Sequence, residues 1–306
     1  MLFYRFKTFR TTYYFPEITK ETSFLYGLYN PYGNAIIRIY WKLFKSSRIF
    51  RTLTSIHIEK LQDPSVRKLL KLCPKNSLIS INMGTPGIEQ KVSILGFLPD
   101  KKESFFAKYA EKEKAKMLAK NEIKILRELV ETRLAPKLIY SVEEEDFIYF
   151  VTSRVNGLPH KKRSVTNSVI ALAVSISKLN LTNDGSVKKS LSHGDFCPWN
   201  MLVENGKLRL IDWEMAAIRP LGYDLFLYIL HSNLMMGCTG KYVAKLVLEN
   251  QLSVHVYFKS FNIEDYSPYL KFFILDRIQI EYDKGNIKMV DKYKQIEKLL
   301  LSAIIE

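Results

Sequence analysis

Cysteine is scarce in this 306-residue chain: Cys73, Cys197 and Cys238 are the whole set, far apart and odd in number. That excludes a disulfide framework and leaves no metal-ligand spacing, so a reducing, cytoplasmic setting is expected. No apolar run approaches the roughly 18 residues needed to span a bilayer. The N-terminus alternates aromatics with Arg and Lys and lacks a continuous apolar core, which reads against a signal peptide. Internal repeats and low-complexity tracts are also missing. Acid is in short supply: 31 Asp and Glu face 46 Lys and Arg, a net charge of +15. Residues 1–78 hold 14 of those cations against 4 acids, and the other 228 residues carry only +5. Such a field favours anionic partners and says nothing about fold.

What is present changes character along the chain. Residues 1–77 are basic and aromatic, poor in clean strand alternation, and read as an N-terminal extension. From Leu78 the pattern is regular. Leu78–Asn82, Lys91–Phe97 and Ser104–Tyr109 read as strands, the first two around the turn Met83-Gly84-Thr85-Pro86-Gly87. Lys112–Thr132 is helical by propensity and cannot continue past Pro136. Leu138–Val142 and Phe147–Thr152 read as a hairpin, and Val155-Asn156-Gly157 breaks the pattern. Helices then dominate: Val165–Leu179, Tyr223–Ser232, Lys241–Glu249, Tyr269–Tyr282 and Val290–Ile305. The last keeps Val290, Tyr293, Ile296, Leu300 and Ile304 on one face. A strand-rich piece followed by a helix-rich piece predicts an α+β, two-lobed architecture with a cleft: a small β-rich N-lobe with its hinge over 78–157 and a larger helical C-lobe over 158–306.

The chemistry concentrates in His193-Gly194-Asp195-Phe196-Cys197-Pro198-Trp199-Asn200 and in Ile211-Asp212-Trp213-Glu214. Two carboxylates and an amide on short turned segments are what phosphoryl transfer needs. One carboxylate orients or accepts a hydroxyl proton, while the Asn and second carboxylate suit Mg²⁺. Asp195 and Asn200 are five apart, the catalytic-loop spacing of protein-kinase-like enzymes. Capping of turns by Asp and Asn is the plainer alternative, but it does not explain the combined spacing. His193 is expected to shape the loop by hydrogen bonding, and Cys197 to be structural.

Lys108, in the β-prone Phe105–Tyr109, reads either as a solvated strand lysine or as the lysine that contacts nucleotide phosphates. Leu118, Glu122, Ile125 and Leu129 are spaced 4, 3 and 4, so they share a helix face. A carboxylate on such a face needs a cation or donors, and Lys108 is the candidate. Gly84 and Gly87 could cover a phosphate or merely close a hairpin; the three-glycine pattern of protein kinases is lacking.

Leu191–Asp195 through Asn200-Met201-Leu202, Ile211–Glu214 and Pro220-Leu221-Gly222-Tyr223-Asp224-Leu225 resemble the aminoglycoside phosphotransferase/choline kinase family. Asn121-Glu122 with Ile125-Leu126 and Leu129 is similar to its N-lobe helix, and Phe150–Gly157 to its hinge. The resemblance spans about Leu78 to Leu230. It implies a protein-kinase-like fold, ATP or GTP with Mg²⁺, and a small-molecule hydroxyl acceptor. By the match Asp195 is the catalytic base, Asn200 and Asp212 hold metal, Asp224 anchors the loop, and Lys108, Glu122, Gly84, Gly87, Ser153 and Val155 lie on the nucleotide side. Cys197 stands where the family usually has His and Trp199 where Gly is common. Trp199 offers a flat face for a sugar ring.

Only eleven residues separate Asp212 from Asp224, with no Ser or Thr and no Ala-Pro-Glu anchor. A peptide platform is therefore not expected. The net charge disfavours a polycationic antibiotic acceptor and favours an anionic or membrane-bound one: a sugar phosphate, an acidic glycan or a lipid-linked saccharide. In residues 36–51, Arg38, Lys42, Lys45, Arg48 and Arg51 recur every three or four positions among apolar and aromatic side chains. That segment reads as a basic amphipathic helix, either packed on the lobes or touching the inner face of a membrane with Trp41 and Tyr40 at the interface. Nucleic-acid binding has no fold signature here. A non-catalytic kinase-like binding protein is the alternative, but Lys108, Asp195, Asn200 and Asp212 are all retained.

Overall fold

Alternating aromatic and aliphatic positions build an antiparallel sheet from the first half of the chain. The structure is a computed structural model that describes residues 2–29, 35–57, 63–183 and 187–304, with the side chains of 301–304 outside the description. It divides into two compact units, residues 1–130 with 136–154, and residues 131–135 with 155–306.

The first unit carries β1 (Leu2–Lys7), β2 (Thr12–Pro16), α1 (Ala35–Ser46), α2 (Arg48–Thr52), β3 (Ser55–His57), α3 (Pro64–Leu72), β4 (Leu78–Asn82), β5 (Lys91–Leu98), β6 (Glu103–Ala110), α4 (Glu113–Glu128), β7 (Leu138–Glu143) and β8 (Ile148–Ser153). The eight described strands form one sheet in the order β3-β1-β2-β4-β5-β6-β8-β7. The boundary at residue 77 is thereby corrected. β1, β2 and β3 continue the sheet, and Tyr13 and Tyr14 of β2 pair with Asn82 and Ile81 of β4. Strand alternation in 1–77 is masked because aromatics occupy both faces. Phe3 shares a buried cluster with Ile79, Ile94, Tyr109 and the α3 residues Val66 and Leu69. Tyr4, Phe6, Tyr13 and Phe15 cluster instead with Trp41 and Phe44 of α1.

The basic segment 36–51 is two helices, not one. Ser47 breaks it and caps α2, its side chain accepting from Phe50 N. Arg51 Nη1 donates to Lys45 O at 2.6 Å and Phe44 O at 3.3 Å, satisfying carbonyls at the end of α1. Trp41 is 4% exposed and Phe44 fully buried, so the aromatics of this segment serve the core. Apolar exposure falls instead on Ile36, Ile39, Leu43, Ile49 and Leu53, each half exposed or more.

The second unit holds β9 (Leu158–Pro159), α5 (Asn167–Ser177), β10 (Lys189–Ser192), β11 (Met201–Glu204), β12 (Lys207–Leu210), β13 (Ala217–Pro220), α6 (Tyr223–Phe226), α7 (Ser232–Met235), α8 (Gly240–Glu249), α9 (Gln251–Lys259), α10 (Ser267–Asp283) and α11 (Ile287–Ile304). On α11, Val290, Tyr293, Ile296 and Leu300 are buried as the periodicity predicts; Ile304 and Ile305 lie outside the described side chains. The expected helix over Tyr223–Ser232 is interrupted by a π-helical turn at Leu227–His231. No helix among the described residues is long and apolar enough to cross a membrane.

If residues 1–57 are integral to the first unit, Phe44→Ala should remove about 3–5 kcal/mol of stability, the usual cost of emptying a buried aromatic site. Urea unfolding measures it. A loss below about 1 kcal/mol, the range of surface changes, would show that α1 is an appendage.

Candidate active site

The second unit's site begins with a turn that only glycine can make. Gly194 has φ +77°, and a Cβ there would meet Met215 O at 2.1 Å. The turn is clamped by Asp224, which is 3% exposed. Its carboxylate accepts from Ser192 Oγ at 2.7 Å, His193 N at 2.8 Å and Gly194 N at 3.2 Å. The anchoring role implied by the resemblance is therefore visible as geometry. His193 Nε2 is 3.1 Å from Ile211 O, and Asp195 N donates to His193 Nδ1 at 3.2 Å. These partners select the Nε2–H tautomer, making His193 a brace between loop and hairpin.

Asn200 and Asp212 are brought together by the hairpin β11–β12. Its turn is Asn205-Gly206, with φ of 51° and 75°, the positive pair that two-residue type I′ connections require. The register pairs Met201 with Leu210, and Ile211 N donates to Asn200 O at 3.0 Å. Asp212, next in the chain, adopts a left-handed conformation at φ +69°. Aspartate tolerates that region better than most residues, and such backbone outliers cluster at functional sites.

Asp195 is held at both oxygens. Cys197 Sγ donates to Oδ1 at 3.2 Å, and Asn200 Nδ2 donates to Oδ2 at 2.8 Å and to Asp195 O at 3.0 Å. Cys197, expected to be structural, is thus a donor to Asp195. Burial, followed by the Asp195 charge, pushes its thiol well above the ordinary range, so it remains a protonated donor. With Asn200 Nδ2 engaged, its Oδ1 remains the atom suited to a cation. An amide oxygen and a half-buried carboxylate form a hard-oxygen donor set that fits Mg²⁺. Glu214 was given no role from sequence, yet its carboxylate comes within 4.8 Å of that of Asp212. The only sequence signal was its place two residues on, in the same short turn.

In the first unit, Lys108 Nζ and Glu122 Oε2 are 2.6 Å apart. The lysine is 7% and the glutamate 4% exposed. The 4-3-4 face of α4 is buried as the spacing predicts, and strand alternation puts Lys108 on the opposite face from Phe105, Ala107 and Tyr109. Gly84 (φ +71°) approaches the Lys91 backbone so closely that a Cβ would lie 2.2 Å from Lys91 O. The turn is pinned further by Asn82 Oδ1, which accepts from Gly84 N at 3.0 Å, and by Lys112 Nζ, which donates to Gly87 O at 2.7 Å. Gly84 is thus explained by hairpin closure, whatever else the turn does. Ser153 is already engaged with Lys137, through its N–H at 2.8 Å and its hydroxyl at 2.9 Å. Val155 is buried and begins the second unit's main segment.

A buried ion pair is costly to break from one side. Glu122→Ala should destabilise the first unit by about 3–5 kcal/mol, while Lys108→Met with Glu122→Met should recover most of that. Chemical unfolding of the two variants decides it; a single-variant loss no larger than that of a surface charge contradicts the pairing.

Comparison with known proteins finds one family match in sequence and many solved structures that align with the chain. Residues 171–244 match the model of the phosphotransferase enzyme family. That stretch runs from α5 through the Asp195 loop, the Asn200–Asp212 hairpin and the Asp224 clamp into α8. No curated protein matches the sequence. Among solved structures, an aminoglycoside-3'-phosphotransferase of type VIII aligns over 77% of this chain and 97% of its own, at 14% identity and a TM-score of 0.44. The family match falls on the segment that carries the clamp, the loop and the hairpin. It covers about a quarter of the chain and marks that segment as similar to the phosphotransferase enzyme family.

Proposed function

We propose that this protein transfers the γ-phosphate of ATP or GTP to a hydroxyl of a sugar, glycan or lipid-linked saccharide. The observation that carries the reading is Asp195, a half-buried carboxylate with both oxygens oriented by Cys197 and Asn200. A base aligned this way can take the acceptor's proton as its oxygen attacks phosphorus. Asn200 and Asp212 would hold Mg²⁺, with Glu214 beside them, and the ion would neutralise charge on the phosphates. Lys108, oriented by Glu122, would contact nucleotide phosphates, and Gly84, Gly87, Ser153 and Val155 would serve on the nucleotide side. Ser153 would contribute through its carbonyl or its hydroxyl proton, since its N–H donates to Lys137 O and its hydroxyl oxygen accepts from Lys137 N.

The acceptor reading rests on charge: a chain of net +15 is poorly suited to polycations. Peripheral contact with the inner face of a membrane follows the same logic through residues 36–51. The contacting side chains would be Ile36, Ile39 and Leu43 beside Arg38, Lys42 and Lys45, because Trp41 and Phe44 are buried. Residues 35–53 contain five cations and no acid, and each Lys or Arg at an anionic surface contributes about 1 kcal/mol.

Asp195→Asn should lower nucleotide turnover by about 10²–10⁴, the worth of a general base, with nucleotide affinity nearly intact. Asp212→Asn should remove the Mg²⁺ dependence of nucleotide binding. ADP release and titration calorimetry measure these; unchanged turnover in Asp195→Asn would sink the assignment. Co-sedimentation with vesicles containing phosphatidylserine should rise with the anionic fraction and fall with salt. It should weaken when Arg38, Lys42 and Lys45 are changed to Glu, and absence of binding at low salt removes the membrane contact.

A further inference from the structure

Beyond the four residues of the phosphoryl-transfer set, the second unit carries a basic loop that is rigidly built beside the catalytic segment. The loop is His160-Lys161-Lys162-Arg163. Lys161, Lys162 and Arg163 are exposed, while His160 is 7% exposed. Its approach is set by β9, where Leu158 and Pro159 pair with Val203 and Leu202 of β11. His160 N then donates to Met201 O at 2.9 Å, one residue past Asn200. Gly157 makes this docking possible, since a Cβ there would press on Leu202 Cβ at 2.8 Å and Val203 O at 3.0 Å.

The far side of the loop is held by Tyr228. Its hydroxyl donates to Lys162 O at 2.8 Å and lies 3.1 Å from His160 Nε2. Its ring meets Phe196, the neighbour of Asp195, edge-on at 6.1 Å between centroids. Tyr228 belongs to the π-helical turn Leu227–His231, a distortion frequent at functional sites. Burial first and the Lys162 charge second hold the His160 imidazole below its ordinary pKa, so it stays neutral inside the loop. Lys161, Lys162 and Arg163 are thus presented on or next to a backbone anchored at His160 to Met201, beside Asn200, and at Lys162 to Tyr228. Solvated lysines on a mobile loop would need neither the buried histidine nor the tyrosine. Trp199, half-buried in the same segment, supplies a ring face of the kind that stacks on sugars.

We propose that Lys161, Lys162 and Arg163 form a recognition site for an anionic group on the acceptor, so that the acceptor is a phosphorylated sugar rather than a neutral or cationic one. This rests on the kinase reading above and deepens it. Arg and Lys are the side chains that bind phosphate oxygens with charge-assisted hydrogen bonds. A fixed loop spares them much of the ordering cost of binding.

Lysine footprinting tests this on the full chain, with glucose 1-phosphate as probe and glucose as its neutral match. Acylation rates of Lys161 and Lys162 are read by mass spectrometry, with and without saturating Mg²⁺ and a non-hydrolysable ATP analogue. Lys241 and Lys245 on α8 are internal references. Several-fold slowing by millimolar glucose 1-phosphate, absent with glucose, is expected. Arg163→Gln should weaken that protection about tenfold, the loss of one charge-assisted hydrogen bond. No slowing, equal slowing by glucose, slowing by the nucleotide analogue alone, or full protection in Arg163→Gln overturns the proposal. Calorimetry of the analogue in the same samples separates the two readings. Failure to bind nucleotide counts against the kinase assignment, whereas normal nucleotide binding with unprotected lysines counts only against the anion site.

Discussion

One buried carboxylate organises the candidate site. Asp224 satisfies the hydroxyl of Ser192 and the amides of His193 and Gly194. These groups could not otherwise remain out of water without a cost of a few kcal/mol. The clamp forces the sharp turn at Gly194, which delivers Asp195 to the position where Cys197 and Asn200 can orient it. His193 carries the same constraint on to Ile211, and so to the residue before Asp212. Remove the clamp and Asp195, Asn200 and Asp212 lose their common frame together.

Much of this was legible because the chain keeps it local. Asp195, Asn200 and Asp212 lie within 18 positions, and an Asn-Gly turn between two apolar runs dictates how they fold back on one another. The Lys108–Glu122 pair was legible for another reason: helical periodicity exposes a carboxylate on an apolar face, and a buried charge must find its counterpart. The partner of Cys197 was missed, although it is only two residues away, because a weak thiol donor leaves no mark in composition. The docking of residues 157–163 was invisible because its ladder is two residues long and its buttress, Tyr228, is 68 positions from His160.

The first 57 residues show how charge can hide structure. Basic side chains alternate with aromatics there, and such a pattern resembles a solvated, surface-seeking tail. The aromatics instead fill both faces of β1 and β2. Phe6 alone makes close ring contacts with Tyr29, Tyr40, Trp41 and Phe44. Each such pair adds roughly 0.5–1.5 kcal/mol beyond area burial. The cations remain outside because the sheet and α1 leave them nowhere else to go. The break at Ser47 was also unreadable, since nothing in the spacing of the cations registers a cap.

The chain crosses between its two units three times, after Val130, after Ala135 and after Arg154. Residues 131–135 are fastened to the hairpin through Leu210 N on Leu134 O at 3.0 Å and Arg209 Nη2 on Ala135 O at 2.6 Å. A stretch of the second unit is therefore encoded inside the gene segment of the first. No single recombination breakpoint can exchange the unit bearing Lys108 for a relative's and leave the unit bearing Asp195 whole. A clean exchange of either unit needs three breakpoints, after residues 130, 135 and 154.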